Sequence, residues 1–544
     1  MTSIVSIVAR LMSVKGMHID SVESTVRVEH KYGVEFEQET LLVHARPFKR
    51  IQHECPICRR ACPKYDTKYE KDSTWRGPNL NGIPVFISYR PDRICCPDHG
   101  VLTEFIPWQD GNSRFTASFN DEVTFLSLSA PKTVVSEFMD INWRTVGNCI
   151  EATHNRIEPD VSVRLHNLRR ISVDETSYKK GHKYITVVTD MDKNEVVWVH
   201  EQHGLEIFRL FAELLTPEER QNIRIVAGDG AQWIDTITKE YFTNAKRCVD
   251  PFHVVGWANE ALDEVRKSVA ASARMTAVRE RKKMEQEADE KQAAWLEEYH
   301  RYQDALKEVA DSRIKPGRKS KHILEQMAFI QQFESEYSES MEILKNAKKG
   351  QLTEEQQARL DELEKKAGNL KGCKYALGMK PDTLSEINRD RLALIEVSSP
   401  ELYEAYKLKE QLRVILHMSD RDLAEKCLNQ WIEDALNSGF KPFADLAVKI
   451  RDRHMKNILN TIQYQENSSR SEQLNGKIKG LIKTARGFHN LEHLFAMIYL
   501  SCSSLVIPLN NRYRPTPEKN KETRELNRTK RKQREETKRG KNAA

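Results

Sequence analysis

The sequence lacks any apolar run approaching the roughly 20 residues that a membrane-spanning helix needs. The apolar stretch at residues 4–10 is too short for a signal peptide and lacks the basic segment that leads one. These absences argue against an integral membrane protein and against a secreted one. They predict a cytoplasmic protein.

A disulfide framework is also lacking. The chain has 10 cysteines in 544 residues, and half of them form one group while the rest are scattered singly. The grouped cysteines are Cys55, Cys58, Cys62, Cys95 and Cys96. Clustering of this kind in a cytosolic protein favours a bound metal over disulfide bridges.

Two pairs in this group have the spacing of a structural metal site. Two residues separate Cys55 from Cys58, and two separate Cys96 from His99. Such pairs, with a strand-bearing loop between them, are typical of tetrahedral Zn²⁺, which soft thiolate and imidazole ligands select over Mg²⁺. We predict a structural zinc ion on these four residues. The alternative is a set of free buried cysteines, and Cys62 is predicted to be no ligand.

Charge is present in quantity but unevenly placed. The chain is 39% hydrophobic and 31% charged, which predicts two to four packed units with a large polar surface. Its net charge of +6 is concentrated in the segment from Pro515 to the end. That segment is poor in apolar residues, so we expect a disordered arm attracted to phosphates. A tail that only increases solubility is the alternative.

A pair of short helices is predicted at residues 132–139 and 143–150, joined by the polar turn Asp140-Ile141-Asn142. This is the outline of a helix-turn-helix, whose second helix enters the major groove of DNA. An ordinary two-helix hairpin has the same outline. In the helix-turn-helix interpretation, Trp143, Arg144 and Thr145 open the recognition helix.

The hydrophobic period changes after Arg170. Strands are predicted at residues 171–174, 184–188, 195–199, 223–229 and 246–250, with helices at 205–215 and 233–242. The order β-β-β-α-β-α-β specifies a mixed sheet with helices on its faces. Residues 260–465 predict almost only amphipathic or highly charged helices, and a final helix covers residues 471–479.

Carboxylates end two of the predicted strands. Asp174 and Asp229 lie at carboxyl ends, where functional groups of such sheets gather, and carboxylate oxygens suit Mg²⁺. Glu472 shares a predicted helix face with Lys479 and Lys483. Three carboxylates beside ammonium groups suit two-metal phosphoryl transfer. The alternative is that the two aspartates begin turns and that Glu472 is an ordinary solvated residue.

Several motifs are specific when they are taken together. They are Ser172-Val173-Asp174-Glu175, Gly228-Asp229-Gly230, Asp250-Pro251-Phe252-His253-Val254, residues 370–377, residues 470–479, and Arg486-Gly487-Phe488-His489-Asn490. With these motifs the chain resembles the ISL-three insertion-sequence family of DDE transposases over roughly residues 50–500. The chain departs from the family at Arg486, where an aromatic residue is usual, and its charged helices between about residues 270 and 366 are longer.

The resemblance implies an α/β catalytic core, a ribonuclease-H-like mixed sheet, split by a long all-helical insertion. It implies that Asp174, Asp229 and Glu472 bind Mg²⁺ or Mn²⁺ and catalyse DNA cleavage and strand transfer. Asp250 and His253 are possible additional site residues, or else a helix-capping aspartate and a packed histidine. An N-terminal zinc module ahead of a helix-turn-helix also fits the family.

The implied partner is double-stranded DNA, both the element's terminal inverted repeats and the target, with self-association on that DNA and a nucleoid-associated location. Lys477, Lys479 and Lys483 are expected to contact phosphates. Two other functions remain open: a zinc-containing DNA-binding regulator without catalysis, and a metal-dependent nuclease that does not join strands.

The predicted domain organisation has seven parts. They are an N-terminal segment (1–48), a zinc-binding module (49–115), a helix-turn-helix (116–165), the first part of the core (166–258), a helical insertion (259–465), the final part of the core with the Glu helix (466–512), and a basic tail (513–544).

Overall fold

A computed structural model describes most of the chain. The described residues are 16–31, 33–67, 70–111, 113–179, 181, 183–313, 320–338, 341–346, 348, 351–465, 469–485, 488 and 490–509. The predicted basic tail lies outside them, as do Arg486 and Gly487. Within the described residues, no helix has both the length and the apolar character needed to cross a membrane.

The chain divides into two compact units. One comprises residues 1–245 together with 469–544, and the other comprises residues 246–468. The second unit is therefore inserted into the first, as the predicted helical insertion requires. The finer domain boundaries stay predictions.

Seven strands open the first unit. They are β1 (Met17–Lys31), β2 (Val34–Pro47), β3 (Lys64–Asp66), β4 (Ser73–Leu80), β5 (Ile83–Tyr89), β6 (Arg93–Cys96) and β7 (Gly100–Thr103). One sheet has the order β1-β2-β5-β4 and a smaller one the order β3-β6-β7. Val43, Val85, Ile87, Trp75 and Trp108 form the core beneath the larger sheet.

Three helices follow: α1 (Ala117–Ser127), α2 (Lys132–Met139) and α3 (Trp143–Ile157). Helix α2 ends because Asp140 adopts the left-handed conformation, with φ 53° and ψ 55°. Asn142 then caps α3, its side chain accepting a hydrogen bond from the Arg144 amide at 2.9 Å. The two helices and the polar turn between them match the sequence-based prediction.

The next elements build the predicted mixed sheet. They are β8 (Arg170–Lys179), β9 (Lys183–Asp190), β10 (Glu195–Glu201), α4 (Leu205–Leu214), α5 (Pro217–Asn222), β11 (Ile225–Gly228) and α6 (Gln232–Tyr241). The strands of this unit lie in the order β10-β9-β8-β11. The β8–β9 and β9–β10 pairs are antiparallel, whereas β11 runs parallel to β8.

Among its described residues, the second unit has one strand and is otherwise almost entirely helical. Its elements are β12 (Lys246–Val249), α7 (Pro251–Arg313), α8 (Lys321–Tyr337), α9 (Met341–Asn346), α10 (Glu354–Gly372), α11 (Lys374–Gly378), α12 (Glu386–Ser398), α13 (Pro400–Leu416), α14 (Arg421–Asn437), α15 (Lys441–Lys449), a π-helical turn (Ile450–His454) and α16 (Met455–Tyr464). Buried cations close helix ends here: Lys409 donates to the Leu377 carbonyl at 2.8 Å, and Arg266 to the Leu370 carbonyl at 3.2 Å.

Two final helices return to the first unit: α17 (Ser469–Thr484) and α18 (Leu491–Cys502). Leu474 and Ile478 of α17 enter the same core as Phe119 of α1 and Ile185 of β9. Helix α18 lies very close to α3, because a Cβ added at Gly147 would fall 2.1 Å from Nδ1 of His493. The helix pair and helices α17 and α18 are thus built into one core.

Candidate functional site

The two predicted aspartates occupy matching positions on neighbouring parallel strands. The register of β8 and β11 pairs Val173 with Gly228 as its last match. Asp174 and Asp229 are the next residues on the two strands, which lie about 4.8 Å apart in a sheet. Both side chains are half-buried. The sheet therefore brings the two carboxylates together.

The expectation that a strand ends at Asp174 is wrong. Strand β8 continues to Lys179, and Asp174 pairs with Val187 of β9. The reason is that β8 has two neighbours of different length. Its parallel partner β11 stops at Gly228, while its antiparallel partner β9 continues. At Asp174, β8 still pairs with β9 on one side but no longer has β11 on the other. The sheet is therefore open only on the β11 side.

Gly228 allows this close approach of the two strands. A Cβ at this position would lie 2.8 Å from the Val173 carbonyl oxygen and 2.9 Å from Cδ1 of Ile234. Because the first contact is with backbone, the strands themselves would have to separate. Any larger residue would therefore move Asp229 relative to Asp174.

Gly228→Ala should lower the free energy of unfolding by about 1–3 kcal/mol, the usual result of overpacking a tight interior. The measurement is the denaturant midpoint of the purified chain. Gly480→Ala is the matched control, because nothing lies within 4 Å of an added Cβ there. Alanine at that position in α17 should be neutral or stabilising by up to about 1 kcal/mol. Equal midpoints for the two variants would contradict the tight β8–β11 contact.

Hydrogen bonds fix the orientation of both aspartates. Oδ1 of Asp174 accepts from the Glu175 amide at 2.7 Å, and its Oδ2 accepts from Nδ2 of Asn475. Oδ1 of Asp229 accepts from the Ala231 amide at 2.9 Å, just before α6 begins. Each carboxylate is held by donors from its own surroundings, so neither needs an ion pair to define its direction.

Asn475 connects Asp174 to the helix that carries Glu472. Glu472 lies in the first turn of α17 and is exposed. Residues three apart share a helix face, so Glu472 lies on the side of α17 from which Asn475 reaches Asp174. The buried Leu474 and Ile478 fix the rotation of this helix. The predicted phosphate-binding residues Lys477, Lys479 and Lys483 are exposed along it.

Glu175 follows Asp174, and His203 contacts Glu175; neither was predicted from the sequence to be a site residue. Nδ1 of His203 lies 3.5 Å from Oε1 of Glu175. Burial raises the pKa of Glu175, the nearby His203 opposes that effect, and the charges of Asp229 and Asp174 add to it. Negative charge is thus concentrated here, and a divalent cation would offset it. His203 follows β10 in a turn, and no sequence pattern signalled its position.

Asp250 and His253, the possible additional residues, belong to the second unit. Oδ1 of Asp250 accepts from the Phe252 amide at 2.9 Å, as a residue that caps α7 would. Nε2 of His253 lies 3.8 Å from Oδ2 of Asp250. The histidine is partly exposed, with 37% of its side chain accessible. This contact agrees with the alternative of a helix-capping aspartate, and a role of Asp250 in the site stays a prediction.

Cys55, Cys58, Cys96 and His99 converge as a possible metal site. Their ligand atoms all lie within 4.8 Å of one another. The Cys58 and Cys96 sulfurs are 3.7 Å apart, and Nδ1 of His99 is 3.7 Å from the Cys55 sulfur and 3.4 Å from that of Cys96. A tetrahedral zinc ion with bonds of about 2.3 Å to sulfur requires edges of about 3.8 Å. The four residues fit a metal of that size.

Two turns bring these ligands together. Arg59 adopts a positive φ of 62° in the turn that follows Cys55 and Cys58. The β6–β7 hairpin pairs Cys96 with Gly100, leaving His99 in the turn between them. Cys95 precedes Cys96 on β6 and is exposed, because successive strand residues face opposite sides. Cys62 is buried but donates instead to the Arg60 carbonyl at 3.3 Å.

The predicted recognition residues lie at the start of α3. Trp143 is 42% exposed, Arg144 is exposed, and Thr145 is half-buried. The opposite face of the helix buries Val146, Cys149 and Ile150. The amino-terminal end of α3 therefore presents an aromatic and a cationic side chain outward.

Comparison with known proteins gives a consistent result. The sequence profile of the ISL-three family of DDE enzymes, described as "Transposase", matches residues 171–339 and 341–498. A transposase for insertion sequence element IS1557 of Mycobacterium tuberculosis is 30% identical over 473 residues, covering 86% of this chain and 91% of that protein. A transposase for insertion sequence element IS1001 of Bordetella parapertussis is 22% identical over 469 residues, covering 84% and 91%.

The matched region begins with β8, which carries Asp174, and ends within α18, beyond the helix of Glu472. It includes the whole helical unit, so the insertion is part of the family's architecture. The match extends over more than half of the chain, and the Mycobacterium tuberculosis relative aligns with most of it. The chain belongs to the ISL-three family of DDE transposases.

Proposed function

We propose that Asp174, Asp229 and Glu472 are the catalytic carboxylates of this transposase, acting at the ends of an insertion sequence. The observation that carries the proposal is the parallel register of β8 and β11, which leaves Asp174 and Asp229 side by side beyond the Val173–Gly228 pair. The hydrogen bond from Asn475 to Asp174 supports Glu472 as the third member.

The family implies a divalent metal, and oxygen ligands favour Mg²⁺ or Mn²⁺. When bound, such ions activate the attacking oxygen and stabilise the leaving one. Asp174 and Asp229 would hold them, with Glu472 contributed by α17. Donors from Asn475 and the Ala231 amide keep the two aspartates oriented before any ion arrives.

The same carboxylates serve cleavage and joining. In the first step water attacks the phosphodiester at the element's end, releasing a 3′-hydroxyl. In the second, that hydroxyl attacks a phosphodiester of the target. Both are in-line phosphoryl transfers, so only the nucleophile changes and no covalent enzyme intermediate is needed. The exposed Lys477, Lys479 and Lys483 bind backbone phosphates along α17.

The remaining modules bind and position DNA. The Cys55, Cys58, Cys96 and His99 cluster binds structural Zn²⁺, which is supported by the match of its distances to a tetrahedral thiolate site. Helices α2 and α3 have the outline of a helix-turn-helix and contribute to DNA binding. The core is of the ribonuclease-H-like type, supported by the strand order β10-β9-β8-β11 with one parallel pair.

The partners are the terminal inverted repeats of the element and the target DNA, on which the protein self-associates at the nucleoid in the cytoplasm.

The decisive experiment incubates the full chain with Mg²⁺ and DNA carrying the ends of its own element. We expect 3′-hydroxyl ends and then products joined to target DNA. Cut but unjoined DNA would instead identify a nuclease, and uncut bound DNA a regulator.

Removing residues 516–544 should weaken DNA binding of every sequence and flatten its dependence on salt. The segment is rich in Lys and Arg. For each phosphate that the shortened chain no longer neutralises, the negative slope of log K against log salt should become less steep by about 0.9. The measurement is DNA affinity across a salt series. The control is a chain in which residues 516–544 are replaced by a scrambled sequence with the same arginines and lysines. This control should recover the slope. An unchanged slope after truncation would leave the segment without a role in binding.

A further inference from the structure

A groove beside the start of α3 is lined by two of the residues predicted to open a recognition helix. It has a volume of about 590 Å³ and is bounded on one side by Trp143, Arg144 and Asn148 of α3. Phe488 and His493 line the other side, from the segment around the start of α18. Its volume falls within the roughly 300–1,000 Å³ typical of pockets for a single small ligand.

Aromatic and cationic groups are paired on both walls. The Arg144 guanidinium lies 5.7 Å from the centre of the Trp143 ring, and the Lys132 ammonium lies 5.0 Å from the centre of the Phe488 ring. Aromatic faces stack on nucleic-acid bases of any sequence, while neighbouring cations follow the backbone phosphates. This pairing is typical of surfaces that hold unpaired nucleotides.

The polar groups of the groove add the means to contact a base edge. Asn148 of α3 is exposed where it lines the groove. Asn490 lines the groove too, but its amide already bonds the Glu492 backbone and the His493 ring. Amide side chains offer a donor and an acceptor to the edges that an unpaired base exposes. The groove thus combines stacking surface, amide groups and positive charge within the space of a nucleotide.

The groove is preformed and carries positive charge near neutral pH. Lys132 is partly buried and donates to Nδ1 of His493 at 3.4 Å. Burial lowers the pKa of Lys132 to about 8, while burial and the Lys132 charge lower that of His493 to about 4. The lysine therefore keeps its proton near pH 7 and the histidine accepts its hydrogen bond. Gly147 sets α3 tightly against His493.

A walled groove does not suit the reading of duplex DNA. A recognition helix must insert its leading face into a major groove about 12 Å wide. Here the leading face of α3 borders a groove whose other side is formed by Phe488 and His493. We propose that this groove binds an unpaired nucleotide of the DNA substrate, with its base stacked on Trp143 and its phosphate on Lys132 and Arg144.

Helix α17 relates this groove to the proposed active site. Thr484, at the end of α17, precedes Ala485 in the groove wall, and Glu472 lies at the other end of the helix. From Glu472 to Thr484 a helix rises about 18 Å. That length equals about five base steps of duplex DNA. This part of the inference rests on the proposed role of Glu472, and it puts the unpaired nucleotide within about five positions of the cleaved bond.

The first test measures affinity for a labelled single-stranded oligonucleotide and for the matching duplex, by fluorescence anisotropy of the full chain without added divalent metal. Trp143→Ala should weaken single-strand binding by about 5–150-fold, the value of one stacked base. Duplex binding should change less than twofold. Trp143→Phe should restore most single-strand affinity, because the stacking face is kept.

Phe138→Ala is the matched control. Phe138 belongs to the same helix pair and is 70% exposed, but it is not part of the groove. Both affinities should stay unchanged in that variant. Equal losses of single-strand and duplex binding in Trp143→Ala would overturn the proposal in favour of major-groove reading. An unchanged single-strand affinity would overturn it outright.

The second test locates the nucleotide. Single mismatches are placed along duplexes that end in the element's terminal sequence, because a mismatch removes the cost of unpairing. Mismatches within about five positions of the cleaved bond should tighten binding, and Trp143→Ala should abolish that gain. Asp174→Asn should keep it, so a failure of the catalytic proposal remains distinguishable. Tightening that persists in Trp143→Ala would overturn the assignment of the groove.

Discussion

Asp174→Asn, Asp229→Asn and Glu472→Gln are each expected to abolish cleavage and strand transfer while leaving DNA binding intact. Each amide keeps the size of the side chain and removes the charge that would hold a divalent cation. Metal ions supply several kcal/mol of transition-state stabilisation, so activity should fall by at least about a hundredfold. The measurements are product formation with Mg²⁺ and separate affinities for the same DNA.

The controls for the triad are carboxylates outside the β8–β11 edge. Asp192, in the turn before β10, is partly exposed and pairs with Arg170 at 3.4 Å, so Asp192→Asn should retain activity. Asp250→Asn should also retain most of it if Asp250 only caps α7. Full strand transfer in Glu472→Gln would show that the third carboxylate lies elsewhere, with Asp250 and Glu175 the first positions to examine. Activity in all three amides would refute the assignment of the site.

Cys58→Ser is expected to remove bound zinc and unfold the module around it. Structural zinc contributes about 10–16 kcal/mol to the folding of small zinc-binding peptides. The local core has little else to hold it, because Ile94 and the partly buried Leu102 are the apolar side chains packed with Cys55, Cys62 and Cys96 among the described residues. Zinc content of protein purified without chelators, and proteolysis between residues 49 and 115, are the measurements.

Two other cysteines provide matched controls for the metal site. Cys95→Ser alters an exposed thiol beside Cys96, and Cys62→Ser alters a buried one bonded to the Arg60 carbonyl. Neither should change the zinc content, although Cys62→Ser should lower stability slightly through poorer packing. Loss of zinc in Cys62→Ser would show that the ligand set is different. A wild-type chain without zinc would refute the metal assignment.

The core sheet was predictable because its strands carry strong local signals. Ile225, Val226 and Ala227 form a buried apolar run, and the polar turn from Asp190 to Asn194 separates β9 from β10. A buried run followed by a carboxylate led directly to Asp229. The order of strands and helices then limited the topology to a mixed sheet. The extent of β8 was not predictable, because its antiparallel half depends on β9 rather than on its own sequence.

The β1–β2 hairpin shows where the alternation of apolar and polar residues fails to predict burial. Strands β1 and β2 pair from Met17 with Pro47 to Lys31 with Val34, yet their outer halves are largely exposed. The outer halves do alternate apolar and polar residues, but the apolar side chains there, such as Val28 and Phe36, are exposed. Only in the inner half, where Val43 and Ala45 are buried, does the alternation coincide with a core.

Contacts distant in sequence were also beyond prediction. Asn475 meets Asp174 across some three hundred residues, and His203 meets Glu175 through a turn. Neither residue carries a local feature that separates it from other polar residues on a helix or loop. The groove at Trp143 was equally unpredictable from sequence, since its second wall comes from the distant residues Phe488 and His493. Such constellations exist only after the core has formed.

The insertion of one unit into the other determines when the protein becomes complete during its synthesis. The core shared by Phe119, Ile185, Leu474 and Ile478 cannot close until α17 has left the ribosome. At about 5–20 residues per second, elongation from Asp229 to Glu472 takes roughly 10–50 s. Throughout that interval the nascent chain carries its cysteine cluster and helix pair without the last carboxylate. A translation product that stops within the helical unit would therefore lack the proposed third carboxylate and, with its first core left open, would be a ready substrate for proteases.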